Sequence, residues 1–202
     1  MSVRAIGFDF DQTLADTSPG IEDCLGIINT TFAKGIEQSR LRELSVSGLT
    51  LRETLSQIVS QSEIEHAVDV FLREYPVIGV QGSQLFSGVN DLMQTLKGQK
   101  FKIYVLSAKT HNNLILSLNH LNIQVDRAVG GLDFSGKTQY IKDLKLDFYV
   151  GDQISDMMAA AEANCKGILV NSTSPREVQV PIHARFHDIN HLLDNIQSLL
   201  EA

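Results

Sequence analysis

With 202 residues, 43% of them hydrophobic, the chain is long enough to bury a full core and to carry an insertion as well. Its formal net charge of -7 and pI near 5.3 argue against a broad nucleic-acid footprint and against docking on an anionic membrane. No stretch approaches the roughly 18 apolar residues of a membrane span. Asp9 and Asp11 interrupt the first apolar run too early for a signal peptide. Cys24 and Cys165 lie far apart without CxxC spacing, as expected of two reduced, packed thiols. The expectation is a cytoplasmic protein without nucleic-acid or membrane partners; nothing in the sequence specifies its oligomeric state.

The first predicted element is a buried strand over VRAIGF at 3–8, ending in Asp9-Phe10-Asp11. Residues 18 to about 85 read as helical. Ser18-Pro19 is a helix start, with a hydroxyl cap and proline in the first turn. Thr50 with Glu53, and Ser62 with Glu65, fit the capping box, in which hydroxyl and carboxylate satisfy two orphan amides. Leu51, Leu55, Ile58 and Val59, then Ile64, Val68, Phe71, Leu72 and Tyr75, recur at helical spacing. Pro76 to Gly82 reads as the return hinge. Strands follow at KIYVL 102–106, DRAV 126–129, FYVG 148–151 and GILV 167–170, each trailed by a helical or polar segment, with HARF 183–186 as an edge strand. Asp188 caps a last helix with Ile189, Leu192, Leu193, Ile196 and Leu200 on one face. The expected architecture is α/β, a doubly wound parallel sheet over 1–16 and 83–202, with an inserted α-helical domain over 17–82.

In such a sheet ligands bind beyond the carboxyl ends of the strands. Asp9 and Asp11 follow the first strand, Ser107 follows KIYVL, Lys137 lies in SGKT in the loop region after the third run, and Asp152 and Asp156 follow FYVG. Like-charged Asp9 and Asp11 either sit in solvent or receive a cation. Asp9, Asp11, Asp152 and Asp156 together form an anionic set that a hard divalent ion such as Mg²⁺ would relieve. A lysine and a hydroxyl opposite would hold an anion. A metal, a lysine, a hydroxyl and a carboxylate placed to attack suit phosphoryl transfer, in which positioning and charge supply most of the catalysis. His183, His187 and His191 also recur at a helical interval, but a strand-to-helix transition near Asp188 breaks their common face.

Asp9-Phe-Asp11-Gln-Thr13-Leu, Ser107, Lys137 and Gly151-Asp152-Gln-Ile-Ser-Asp156, in that order, resemble the four motifs of the haloacid dehalogenase superfamily. The resemblance covers essentially the whole chain, and the first and fourth motifs are the specific ones. The insertion after the first motif is similar to the helical cap of the phosphoglycolate phosphatase-like subgroup. The resemblance implies Asp9 as nucleophile and metal ligand. It implies Asp11 as general acid and then base, with its carbonyl on the metal. Thr13 would orient the first motif, Ser107 and Lys137 would hold phosphoryl oxygens, Asp152 would complete the Mg²⁺ site, and Asp156 would support it. Ala108 would line the substrate site, and Arg52, in the cap-like stretch GLTLRETL, would contact substrate.

The chain departs from the subgroup at several places. Gln12 stands where glycine is usual, Ala108 where asparagine is, and Thr138 where proline follows the lysine. The short interval between Lys137 and Asp152 keeps Lys109 as a second candidate for the phosphate-binding lysine. The resemblance to the superfamily implies that an acid two positions after the nucleophile, with threonine beyond it, favours ester hydrolysis. The expected function is a Mg²⁺-dependent phosphatase acting on a small phosphorylated metabolite, with 2-phosphoglycolate as the candidate, through an aspartyl-phosphate. The rivals are a phosphomutase or phosphotransferase of the same fold and a binding module that has lost catalysis.

Overall fold

A computed structural model describes residues 4–172 and 179–201. The chain divides into two compact units, Met1–Ala15 with Leu85–Ala202, and Asp16–Gln84.

In chain order, strand β1 (Ala5–Phe8) is followed by the short β2 (Ala15–Asp16). Helix α1 (Ser18–Thr31) begins as its sequence requires, with Pro19 in the first turn, where a missing N–H costs nothing. Its cap, however, comes from Asp16, whose Oδ1 accepts both the Ser18 amide (3.0 Å) and the Ser18 hydroxyl (2.5 Å). Helix α2 (Gln38–Ser45) leads to α3 (Leu51–Ser56), which opens on the predicted Thr50–Glu53 capping box. The second predicted box forms two residues earlier than Ser62–Glu65. A 3₁₀ turn at Gln61–Glu63 lets the Glu63 carboxylate accept from the amide (2.8 Å) and hydroxyl (2.5 Å) of Ser60, and Glu65 instead pairs with Arg52. Helix α4 (Ile64–Glu74) buries Ile64, Ala67, Val68 and Phe71, the i, i+3, i+4, i+7 stripe of one face. Phe71 stacks on the fully buried Tyr75 at 5.3 Å. Helix α5 (Ile78–Gln81) lies so close to α1 that a Cβ on Gly20 would meet the Gly79 carbonyl at 2.1 Å.

The chain returns through β3 (Gln84–Leu85), which forms a two-stranded sheet with β2. There follow α6 (Val89–Gly98), β4 (Lys102–Leu106), α7 (His111–His120), β5 (Arg127–Val129), α8 (Phe134–Asp143), β6 (Phe148–Gly151), α9 (Ile154–Glu162), β7 (Lys166–Leu169), β8 (Ala184–Arg185) and α10 (Ile189–Glu201). As expected, Asp188 caps α10, accepting from the His191 amide at 2.8 Å. The sheet runs β5-β4-β1-β6-β7-β8, parallel throughout. Period-two alternation sorts its side chains. Ile6, Phe8, Ile103, Val105, Phe148 and Val150 join Leu92, Leu96, Leu114, Leu192 and Ile196 in one core. Ala5, Leu106 and Tyr149 join Ile141, Ala159 and Ala160 in the other. Helices α6, α7 and α10 thus serve one sheet layer, and α8 and α9 the other.

Candidate active site

Strand order reverses at β1. The chain builds outward through β4 and β5 on one side and then through β6, β7 and β8 on the other, so the crevice beyond β1 and β6 is the switch point where open α/β sheets bind ligands. Register delivers the acids there. Phe8 is level with Val105 and with Val150, so Asp9, Ser107 and Asp152 all lie just past the strand ends. The Asp9 amide extends the ladder by donating to the Val150 carbonyl (2.8 Å), which fixes the carboxylate's origin.

After Asp9 the chain winds around one carbonyl. The amides of Thr13 (3.3 Å), Leu14 (3.0 Å) and Ala15 (3.2 Å) all donate to Phe10 O, while Gln12 donates to Ala15 O (2.8 Å). Phe10 anchors the turn with a fully buried ring. Gln12 sits at φ +58, a left-handed conformation that glycine adopts freely and glutamine does not.

Asp9, Asp152 and Asp156 each offer a carboxylate oxygen within 4.8 Å of the others, and all three are buried. Lys137 is the cation among them, 2.6 Å from Asp156 Oδ1 and 3.5 Å from Asp9 Oδ1. Its position corrects the predicted loop, because it lies in the first turns of α8. Asp133 caps that helix by accepting from the Gly136 amide (2.8 Å), so the helix begins before the SGKT stretch is over. Asp152 accepts from the Thr13 hydroxyl (3.1 Å) and from Gln153 Nε2 (2.6 Å). Asp156 Oδ2 also accepts the Gln153 amide (3.1 Å) at the start of α9. Gly151 makes this possible, since a Cβ there would lie 2.3 Å from Asp156 Oδ2.

Asp11 stands apart from this cluster in an ion pair with Lys109 (2.9 Å). The two candidate lysines therefore divide, Lys137 with Asp9 and Asp156, Lys109 with Asp11. Ser107 is buried, and its hydroxyl oxygen accepts the Lys109 amide (3.2 Å). Ala108 is exposed. Arg52 lies in the helical unit, its guanidinium engaged by Glu65. Tyr149 and Asn171 carry no motif signal. The Tyr149 hydroxyl donates to the Leu106 carbonyl (2.9 Å), and its ring lies 5.7 Å from the Lys137 ammonium.

Charge in the cluster is unbalanced. Burial pushes the Asp9 carboxyl up to about 7; Lys137 pulls it down, and Asp156, Asp152 and Asp11 push it further up. Burial and Asp156 raise Asp152 to about 6 against its hydrogen bonds from Gln153 and Thr13. Burial alone would lower the Lys137 ammonium, yet Asp9 and Asp156 hold it well above its ordinary value. Asp9 Oδ1 is buried and accepts no hydrogen bond among the described residues. Crowded, buried, hard oxygen donors of this kind suit a small divalent cation.

The sequence profile of haloacid dehalogenase-like hydrolases matches residues 6–170. The chain belongs to that family. Phosphoglycolate phosphatase of Aquifex aeolicus (strain VF5) is 27% identical to this hydrolase over 181 residues, spanning 83% of this chain and 84% of the relative. Phosphoglycolate phosphatase of Yersinia pestis is 26% identical over 191 residues, spanning 81% and 79%. A haloacid dehalogenase-like family hydrolase from Streptococcus pneumoniae shares the fold, with TM-score 0.82 and 20% identity over 96% of this chain and 99% of that one. Among the described residues, no helix of this hydrolase is long and apolar enough to cross a membrane.

Proposed function

We propose that this protein, a phosphoric monoester hydrolase of the haloacid dehalogenase-like family, is a Mg²⁺-dependent phosphatase of a small phosphorylated metabolite, with the helical unit as its cap. The observation that carries the reading is the gathering of the Asp9, Asp152 and Asp156 oxygens within 4.8 Å of one another beside the Lys137 ammonium. Asp9, Asp152 and Asp156, with the Asp11 carbonyl, would hold the metal. When bound, Mg²⁺ supplies positive charge that neutralises the acids and the phosphoryl oxygens.

In the first step one Asp9 carboxylate oxygen forms a bond to phosphorus, and the bond from phosphorus to the leaving oxygen breaks. The leaving oxygen keeps the electron pair and takes a proton from Asp11. In the second step water attacks the phosphorus of the aspartyl-phosphate, Asp11 accepts the water proton, and the Asp9 carboxylate departs. Lys137 and Ser107 hold the non-bridging oxygens. Lys109 holds the Asp11 side chain in place between the two steps. Curated relatives named for phosphoglycolate hydrolysis make 2-phosphoglycolate the first substrate to test.

The deciding experiment measures phosphate release from 2-phosphoglycolate and p-nitrophenyl phosphate with Mg²⁺ and with chelator. Turnover is expected only with the metal, and Asp9→Asn is expected to abolish it while the protein stays folded. Normal turnover by Asp9→Asn would refute the nucleophile assignment. Phosphate passed to an added sugar in preference to water would make the enzyme a phosphotransferase.

A further inference from the structure

The turn after β1 accounts for its own amides but not for all its carbonyls. Gln12, Thr13, Leu14 and Ala15 donate within the turn, whereas the carbonyl oxygens of Gln12 and Thr13 accept none of those bonds. Both accept from a single distant side chain: Asn171 Nδ2 donates to Gln12 O at 3.0 Å and to Thr13 O at 3.3 Å. Two carbonyls can only accept, which assigns the nitrogen of the carboxamide to this contact.

We propose that Asn171 is a positioning residue for the turn that carries Asp11 and Thr13. The inference rests on the reading of Asp9 and Asp11 as the reacting pair. Asn171 stands just beyond β7, and the preceding residue is tied to the end of β6 by Val170 N–H to Gly151 O (2.9 Å). Its side chain therefore runs as a strut from β7 to the turn after β1, the two strands that flank β6 and Asp152. The two carbonyls it holds belong to the peptides on either side of Thr13, whose hydroxyl donates to Asp152. Asp11 directly precedes Gln12, the first of the two residues held. Gln12 holds its left-handed φ without glycine's freedom, so a turn pinned from outside keeps a conformation its own residue disfavours. Asn171 is itself at φ +51, a region that asparagine, aspartate and glycine tolerate. The strut thus ties the first motif to the end of β7, the strand beside the one that carries the fourth.

That tolerance supplies the test. Asn171→Gly keeps the backbone and removes the donor; Asn171→Asp keeps backbone and shape but sets a carboxylate against two carbonyls. In both variants hydrogen exchange at the Thr13, Leu14 and Ala15 amides is expected to quicken about tenfold, while the β1 and β4 amides keep their protection. With Mg²⁺ and p-nitrophenyl phosphate, kcat is expected to fall about tenfold, with KM within about threefold of the parent and Asn171→Asp affected at least as much. Unchanged exchange in the turn, exchange quickened equally across the sheet, or a loosened turn with kcat retained would each overturn the proposal. A parent protein inert toward p-nitrophenyl phosphate and 2-phosphoglycolate would count against the proposed chemistry, and the strut would then stand or fall on exchange alone.

Discussion

Replacing Lys137 by methionine would keep most of the stem's volume and remove an ammonium within reach of both Asp9 and Asp156. Two buried carboxylates would then face each other without a cation, and breaking a buried pair this way costs about 3–5 kcal/mol. The loss is expected to be largest at pH 8 in chelator, where Asp9 is ionised, and smaller near pH 5.5, where it takes up a proton. Urea unfolding of the parent and Lys137→Met at the two pH values measures it; an equal loss at both would show that packing, not charge, dominates. Turnover should fall at least about a hundredfold, the scale of removing one preorganised donor to developing charge. Lys109 gives a contrasting case at the same scale. Its own side chain is buried, but its partner Asp11 is partly exposed, so water can solvate the carboxylate left behind. Lys109→Met should therefore cost less stability than Lys137→Met while still lowering turnover.

At the scale of elements, the junction of β6 and α9 combines a strand end, a glycine and a capping acid. Gly151 has no Cβ, and the Asp156 carboxylate occupies the space where one would be. Gly151→Ala must push that carboxylate away from Lys137 or shift the strand end, a forced repacking of about 1–3 kcal/mol. The expected result is a lower unfolding midpoint together with lost turnover. A variant of full activity would show that Asp156 need not lie where it does. Much of this junction was readable in GDQISD, because an apolar strand running into a glycine and two spaced acids marks a strand end followed by a helix start. The strands KIYVL and FYVG coincide with β4 and β6 for the same reason: short β-branched and aromatic runs bounded by polar residues bury on both faces. Lys137 was misplaced in a loop because Asp133-Phe-Ser-Gly looks like a turn until the Asp133 cap is seen. The division between Lys137 and Lys109, and the reach of Asn171 to two backbone carbonyls, depend on tertiary position, and no local pattern encodes them.

For the whole molecule, the buried acids make stability a function of pH and, on the function proposed above, of metal as well. Asp9 is raised to about 7 and Asp152 to about 6, so from about pH 4 to about pH 7 the folded chain binds more protons than the unfolded one. Stability then falls as pH rises through that window, since its slope follows the protons bound unfolded minus those bound folded. The depressed Glu63 carboxyl, at about 2, acts in the opposite sense only below its ordinary value of 4.5, at the acid edge of the window. The His183 imidazole, lowered by partial burial and Lys166, opposes the trend within it as a single group against two raised acids. In chelator, the thermal midpoint is therefore expected to decline from pH 5 to pH 7.5. Mg²⁺ should reverse the trend, because it binds the deprotonated acids and must displace protons to do so at lower pH. At free Mg²⁺ about one hundred times its dissociation constant, the folded state gains about 2.7 kcal/mol, and the gain shrinks as acid weakens binding. Scanning calorimetry across pH 5–8, with and without Mg²⁺, should thus show two curves that converge toward acid and separate toward alkali. Asp9→Asn should flatten the metal-free curve, since Asp9 is raised further than Asp152 within that window. A metal-free protein most stable at pH 7.5, or an Mg²⁺ effect as large at pH 5 as at pH 8, would mean that the crowded carboxylates are not what the ion relieves.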